Sequence, residues 1–299
     1  MRAGIVILPE DRWWAAEPKW RGAEEYGFSH AWTYDHLGWR SLVDRPWFSA
    51  VPVLTAAAAV TSTIRLGTYV ATPNFRHPVP FARELLALDD ISDGRFTLGV
   101  GAGGSGYDTH VLGGGGPLAP AARGKRFAEF VELLDRLLTV ERTDFSGEYF
   151  SAVEARSTPG CVQRPRLPFL IAANGPKAMA VAARYGSSWV TTGPDTEDDD
   201  AWWAGIAESA ARFDEIAAGR VPTRHLNLDS GPVFSLTSVE RFRDCVGRAT
   251  ALGFTDVVCH WPRDEGVYAG RESVLEQVAA DVLPELAAPR TGSPTHPES

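Results

Sequence analysis

Hydrophobic and polar positions along this chain repeat one phrase. Glu25-Tyr26-Gly27-Phe28 leads into Ser29-His30-Ala31-Trp32, Arg184-Tyr185-Gly186 into Ser187-Ser188-Trp189-Val190, and Ala251-Leu252-Gly253-Phe254 into Thr255-Asp256-Val257-Val258. In each, a glycine stands where a helix needs a left-handed residue to stop, and a short apolar run follows. A fourth joint, Ser92-Asp93-Gly94-Arg95, precedes Phe96-Thr97-Leu98-Gly99-Val100-Gly101, apolar on both faces as a strand buried in a parallel sheet is. Strands are expected near Ala3–Leu8, His30–Tyr34, Arg65–Val70, Arg95–Val100, Pro168–Ala173, Ser188–Thr192, Arg224–Asp229 and Thr255–His260. Helical periodicity fills the gaps: Phe127, Phe130, Val131, Leu134, Leu137 and Leu138 share one face, and Val239, Phe242, Val246 and Ala249 another. Alternation of this kind gives an α/β fold, either a doubly wound open sheet or a (β/α)8 TIM barrel. Eight strands with no obvious second domain favour the barrel.

Three stretches break the rhythm. The glycine-rich run Gly101 to Pro120 is too long for an ordinary βα turn, so residues 103–120 read as an insertion, either an active-site lid or a tolerated loop. Phe145-Ser146-Gly147-Glu148-Tyr149-Phe150 suggests a hairpin before the fifth strand. Residues 289–299 are polar and proline-rich without periodicity, which predicts a disordered tail after a single domain spanning 1–288.

Composition narrows the function. Of 299 residues, 38 are acidic and 29 basic, a formal net charge of −9, so no broad basic surface exists to follow a nucleic-acid backbone. Lysine occurs only at Lys19, Lys125 and Lys177, so an anionic ligand must rest on a few arginines or on backbone N–H groups. Cys161, Cys245 and Cys259 are odd in number and widely spaced, which argues for reduced, buried thiols rather than a disulfide framework or a zinc ribbon. No run reaches the length of a membrane span and the first residues do not read as a signal peptide, so a cytoplasmic protein is expected.

In a barrel, chemistry belongs to the C-terminal strand ends. These carry Tyr34-Asp35-His36, Thr72-Pro73-Asn74, Gly101-Ala102-Gly103-Gly104, Ala172-Ala173-Asn174-Gly175-Pro176, Thr191-Thr192-Gly193 and Cys259-His260-Trp261. Asn174-Gly175-Pro176-Lys177 is either an ordinary joint with Asn174 as helix cap or a phosphate site at a helix N-terminus, with Gly193 on the neighbouring strand end. Asp35-His36 is the leading acid–base candidate, because an imidazole moves a proton near neutrality and a neighbouring carboxylate can accept a ligand hydrogen bond. Adjacent residues leaving a strand need not face the same way, however. Trp13, Trp14, Trp39 and Trp47 cluster near early strand ends, where a flat ligand could stack. No His/Asp/Glu spacing suggests a metal site, and a dinucleotide-binding reading of Gly99–Gly104 is weak.

Arg65-Leu66-Gly67-Thr68-Tyr69-Val70-Ala71-Thr72-Pro73-Asn74-Phe75-Arg76-His77-Pro78, followed by Leu88-Asp89-Asp90-Ile91-Ser92-Asp93-Gly94-Arg95 and the strand after it, resembles the bacterial-luciferase-like flavin-dependent oxidoreductases. With Asp35-His36 upstream and Ile171–Pro176 downstream, the chain is most similar to the branch that uses coenzyme F420, a deazaflavin. The resemblance runs from about Gly4 to Leu286 and implies a luciferase-like TIM barrel. It implies that Asp35 bonds the deazaflavin ring edge and that His36 exchanges a proton near the reacting carbon. It further implies a cis peptide at Tyr69-Val70 behind the ring, with Thr72, Gly101 and Ala102 along the cofactor. Ala172, Ala173, Asn174, Gly175 and Gly193 would hold its phosphate. Trp39, His260 and Trp261 would shape the substrate pocket. Sugar-phosphate dehydrogenases of this branch have a glutamate where this chain has Gly104, and their tryptophan after the Asp-His pair stands one residue later than Trp39, so a sugar phosphate is not the expected substrate.

The reading that follows is an F420-dependent reductase passing hydride to an activated C=C or C=N bond of a metabolite or modified peptide. Its rivals are an FMN-dependent monooxygenase fed reduced flavin by a partner reductase, and a cofactor-binding barrel without catalysis, supported only by Gly104. Neither nucleic acid nor membrane is an expected partner. Oligomeric state is open, a homodimer being common in the family.

Overall fold

A computed structural model describes residues 1–113, 116–221 and 223–287. Eight parallel strands close on themselves: β1 (Arg2–Val6), β2 (His30–Thr33), β3 (Arg65–Thr68), β4 (Phe96–Gly101), then β7 (Phe169–Ala172), β8 (Ser188–Thr191), β9 (Thr223–Asn227) and β10 (Asp256–His260), which pairs back onto β1. The intervening β5 (Arg142–Ser146) and β6 (Ser151–Arg156) form the expected hairpin as a separate antiparallel pair. Around the barrel run α1 (Trp13–Glu25), α2 (Ala50–Val60), α3 (Pro78–Ile91), α4 (Pro120–Thr139), α5 (Pro176–Tyr185), α6 (Asp199–Ala217), α7 (Val239–Ala251), α8 (Glu272–Asp281) and α9 (Leu283–Ala287). All eight expected barrel strands are present, with ends shifted by one or two residues. The tail from 289 lies outside the described residues, as do Gly114 and Gly115 of the glycine-rich segment, which carries a short 3-10 turn at Tyr107–Thr109.

Strand alternation sorts side chains into two layers. Ala3, Ile5 and Ile7 of the first strand region, Val257, Cys259 and Trp261 of the last, and Phe169, Ile171 and Ala173 between them face the helices and form the large core. Val6, Leu8, Trp32, Tyr34, Tyr69, Leu170, Val190 and Val258 take the alternate positions and fill the barrel interior. On α4, Phe127, Phe130, Val131, Leu134, Leu137 and Leu138 are all buried, as their spacing predicts. The three cysteines are buried and free. Among the described residues no helix is long and apolar enough to cross a membrane.

The joint glycines differ from one another. Gly27, Gly94 and Gly253 stop their helices at positive φ, whereas Gly186 has φ −78° and corrects the expectation of a left-handed stop there. A methyl group on Gly186 would sit 2.7 Å from the Ala182 carbonyl oxygen, so that position needs glycine for space rather than for handedness.

Candidate active site

The C-terminal strand ends open into a cavity of about 810 Å³, within the range of small-molecule sites. Its wall includes Tyr34, His36, Trp39, Tyr69, Val70 and Ala172 on one side and Asn174, Gly193, Asn227, Asp229, Phe234 and Tyr268 on the other. Arg40 stands at the rim, stacked on the Trp39 ring and without an ion pair among the described residues. Two buried polar atoms on this wall, the Tyr69 hydroxyl and the Asn227 side-chain oxygen, have no partner in the protein. Buried polar groups are nearly always hydrogen-bonded, so these two mark places a ligand would satisfy. The Tyr69-Val70 peptide is cis.

His36 is the best-defined acid–base group. Its Nδ1 lies 2.5 Å from Asp108 Oδ2, and Asp108 Oδ1 accepts the Leu37 backbone N–H at 2.8 Å. A carboxylate only accepts, so Nδ1 carries the hydrogen and Nε2 is left for a ligand. The Trp47 indole N–H donates to the His36 carbonyl at 2.8 Å and braces the turn. Asp108 was not foreseen: it lies in the glycine-rich segment, four residues past Gly104, and an acid in a polar loop carries no local signal. It gives His36 a carboxylate partner of its own, apart from the position of Gly104.

Several expected contacts fall elsewhere, most of them through alternation. Tyr34 and His36 face the cavity, so Asp35 between them turns away. It is buried and receives two hydrogen bonds from Arg76, 3.0 Å from Nε and 2.7 Å from Nη2, while Arg76 Nη1 binds Glu84 at 2.6 Å. This corrects the ring-edge contact: Asp35 holds the segment after β3 against the segment after β2. Ala173 likewise faces outward, with its N–H donated to Val190 O and its carbonyl taken by the Trp189 indole, so it is not a phosphate donor. Trp261 packs on Tyr26 at the C-terminal cap of α1, ring centroids 6.0 Å apart, and is not a pocket residue. Thr72 is buried, its hydroxyl oxygen accepting the Asn74 N–H. Gly101 and Ala102 lie off the wall. A methyl on Gly101 would come within 2.9 Å of Val70 Cγ2, so this glycine makes room for Val70. Of the early tryptophans only Trp39 reaches the cavity; Trp14 is exposed.

Asn174 and Gly193 do lie on the wall, although the Asn174 side chain is occupied in tying two strand ends together. Its Oδ1 accepts from the Thr191 hydroxyl at 2.8 Å and its Nδ2 donates to Thr192 Oγ1 at 2.7 Å. Gly175 caps α5, and a methyl there would meet nothing within 4 Å. Pro176 opens the helix, leaving the N–H groups of Lys177 and Ala178 without intrahelical acceptors.

His260 lies deeper than expected. It is wholly buried, with Nδ1 at 3.0 Å from Asp229 Oδ2 and Nε2 at 2.8 Å from the Tyr34 hydroxyl, and Tyr268 stacks over its ring at 3.8 Å. A substrate therefore meets Tyr268, not His260.

Residues 16–227 match the family described as luciferase-like monooxygenase. The chain belongs to that family. A relative from Mycobacterium tuberculosis, an uncharacterized protein, is 30% identical over 285 residues covering 88% of this chain and 92% of its own. The F420-dependent glucose-6-phosphate dehydrogenase of Beutenbergia cavernae is 29% identical, covering 89% of this chain and 91% of its own. Among solved structures, the coenzyme F420 dependent tetrahydromethanopterin reductase from Methanopyrus kandleri superposes with a TM-score of 0.73 at 19% identity over 95% of this chain and 99% of its own, which shows the shared luciferase-like barrel. Like its named relatives, the chain is an oxidoreductase.

Proposed function

We propose that this luciferase-like barrel is a coenzyme F420-dependent reductase that delivers hydride to an activated C=C or C=N bond of a metabolite or modified peptide. The observation that carries the proposal is His36: its Nδ1 is fixed on buried Asp108 and its Nε2 is left for the cavity beside Tyr69 and Val70. The wall also fits such a group. Tyr69 and Asn227 offer unsatisfied polar atoms for a ring edge. Beside Asn174 on the wall, the open space at Gly175 and the N–H groups of Lys177 and Ala178 at the start of α5 offer a place for a phosphate, and Arg40 a charge for an anionic tail. When bound, the deazaflavin supplies a two-electron hydride and little oxygen chemistry. The chain's own part is to hold the two reactants face to face and to move one proton at His36 Nε2, with the Asp108 carboxylate stabilising the charged imidazole.

The named F420-dependent relative supports the cofactor, and the family's description as monooxygenase keeps FMN as the second reading. Parallel fluorescence titrations with F420 and FMN separate them. Tight F420 and weak FMN binding is expected, and no F420 binding refutes the proposal. In the loaded enzyme, His36→Ala should lower turnover by about 10²–10⁴-fold with F420 affinity nearly unchanged. Unaltered turnover removes His36 from the proton step.

A further inference from the structure

A second histidine–aspartate pair reaches the cavity through two hydroxyl groups. Asp229 Oδ1 accepts the Ser235 N–H at 2.8 Å, and its Oδ2 accepts the His260 backbone N–H at 2.6 Å as well as Nδ1. Since the carboxylate can only accept, His260 Nδ1 carries a hydrogen and Nε2 faces the Tyr34 hydroxyl. That hydroxyl is in turn 2.8 Å from the hydroxyl of Tyr268, which lines the cavity. Burial pushes the Tyr34 phenol well up and that of Tyr268 to about 12, so both stay protonated and can pass a hydrogen without becoming phenolates.

Tyr268 is held in place by backbone means that are costly for its residue type. Its φ is +60°, a left-handed conformation unusual for an aromatic side chain, and its carbonyl accepts the Arg263 N–H at 3.0 Å. Arg263 is itself anchored on Glu10 by two hydrogen bonds of 2.7 and 2.8 Å.

We propose that Tyr34 and Tyr268 form a proton wire from the buried His260–Asp229 pair to the cavity, and that the substrate is an alkene conjugated to C=O or C=N, which needs two protonation points. The substrate class rests on the hydride-transfer reading above; the wire does not. With His260 charged, hydrogens run outward from Nε2 to Tyr34, from Tyr34 to Tyr268 and from Tyr268 to the substrate heteroatom. As hydride from the reduced deazaflavin forms the new C–H bond at the β-carbon, the C=C electron pair shifts toward the heteroatom, which takes the Tyr268 proton. Tyr268 regains a proton from Tyr34, Tyr34 from His260, and His260 becomes neutral. His36 then protonates the α-carbon while the heteroatom returns its proton down the wire. The net addition is one hydride and one proton, and His260 ends charged as it began. A simple imine takes a single proton and would leave one of the two sites idle.

Two measurements test this. In protein with ring-labelled histidines, Tyr34→Phe removes the only side-chain partner of His260 Nε2 among the described residues and should slow exchange of the His260 ring hydrogens at least tenfold and shift the Nε2 resonance, and Tyr268→Phe should slow exchange by less, because Tyr34 itself borders the cavity. Exchange unchanged in both variants overturns the wire, whether or not F420 binds. In the loaded enzyme, cyclohex-2-enone should be reduced at least tenfold faster than 1-pyrroline, and Tyr268→Phe should remove at least tenfold of the enone rate while F420 affinity holds. Preference for 1-pyrroline, reduction of neither, or full enone turnover in Tyr268→Phe overturns the substrate class. Failure to bind F420 would instead strike the function proposed above and leave the exchange result standing.

Discussion

At the N-terminal end of the barrel, Asp256 receives Arg2 at 2.8 Å, His30 Nε2 at 3.0 Å and the Thr255 hydroxyl at 2.7 Å, and the Trp32 indole donates to His30 Nδ1 at 2.6 Å. At the C-terminal end, Asp229 also holds a histidine, but the far nitrogen of that ring passes to Tyr34 and then to Tyr268 on the cavity wall. The chemical pair is the same and its surroundings differ. Every polar atom of His30 and Asp256 is used inside the protein, and Arg2 occupies the carboxylate that a cation would need, although His30, His225 and Asp256 could geometrically surround one. A histidine–aspartate pair therefore becomes structural or reactive according to where the last hydrogen of its chain points. At one end it points into protein, at the other into a cavity.

The difference can be broken first at the sealed end. Asp256→Asn weakens the buried hydrogen bonds from His30 and Thr255 and removes the partner of half-exposed Arg2, and should cost about 1–3 kcal/mol in denaturant unfolding, whereas Tyr268→Phe should change stability by less than about 1 kcal/mol. Equal losses would mean that the two ends are not distinct in kind. Acid titration is the second test. Burial, with Arg2 and the His30 ring close by, outweighs Asp256 and pulls His225 down from 6.5 to about 3. Between those values the unfolded chain binds more protons than the folded one, so stability falls as pH falls, by up to about 1.4 kcal/mol per pH unit. Burial would raise Asp256, but His30, His225 and Arg2 more than offset it and hold it well below the usual carboxylate range, so its own contribution is lost only at more acid pH. The window from pH 6.5 to about 4 thus belongs to His225, and His225→Asn should flatten the slope there. The smallest effect contrasts two glycines. A methyl on Gly4 would overlap the His30 ring, so Gly4→Ala should cost about 1–3 kcal/mol, while Gly175→Ala meets nothing within 4 Å and should cost no more than about 1 kcal/mol through the poorer cap but weaken F420 binding.

Much of this architecture was legible beforehand. Glycine joints and apolar runs placed the barrel strands, because a parallel barrel repeats one local problem eight times. His36 was legible as a residue type at a strand end. Its partner was not, since Asp108 reaches it across 72 positions of chain from a loop without periodicity. The family resemblance implies joint contacts for neighbours such as Asp35 and His36, Ala172 and Ala173, or His260 and Trp261. Strand parity divides each pair, sending one side chain into the barrel or its cavity and the other out of it. Tyr34 and Tyr268 escaped notice because a tyrosine beside a strand reads as core until its hydroxyl is seen to have a partner. Tyr268 is also 234 positions from Tyr34.

Both ends of the comparison are written on one short strand. β10 starts with Asp256 and finishes with His260, with Val258 pointing inward between them, so the two chemistries are separated by four residues, about 13 Å along the strand. Groups that far apart with no shared partner change independently. Evolution can therefore rework the open half of this strand, and the tyrosines that read it, to suit a new substrate without disturbing the ionic lock at its other end. Paired substitutions at the two ends should show additive free energies, which makes β10 a natural boundary between what a designer can vary and what must be kept.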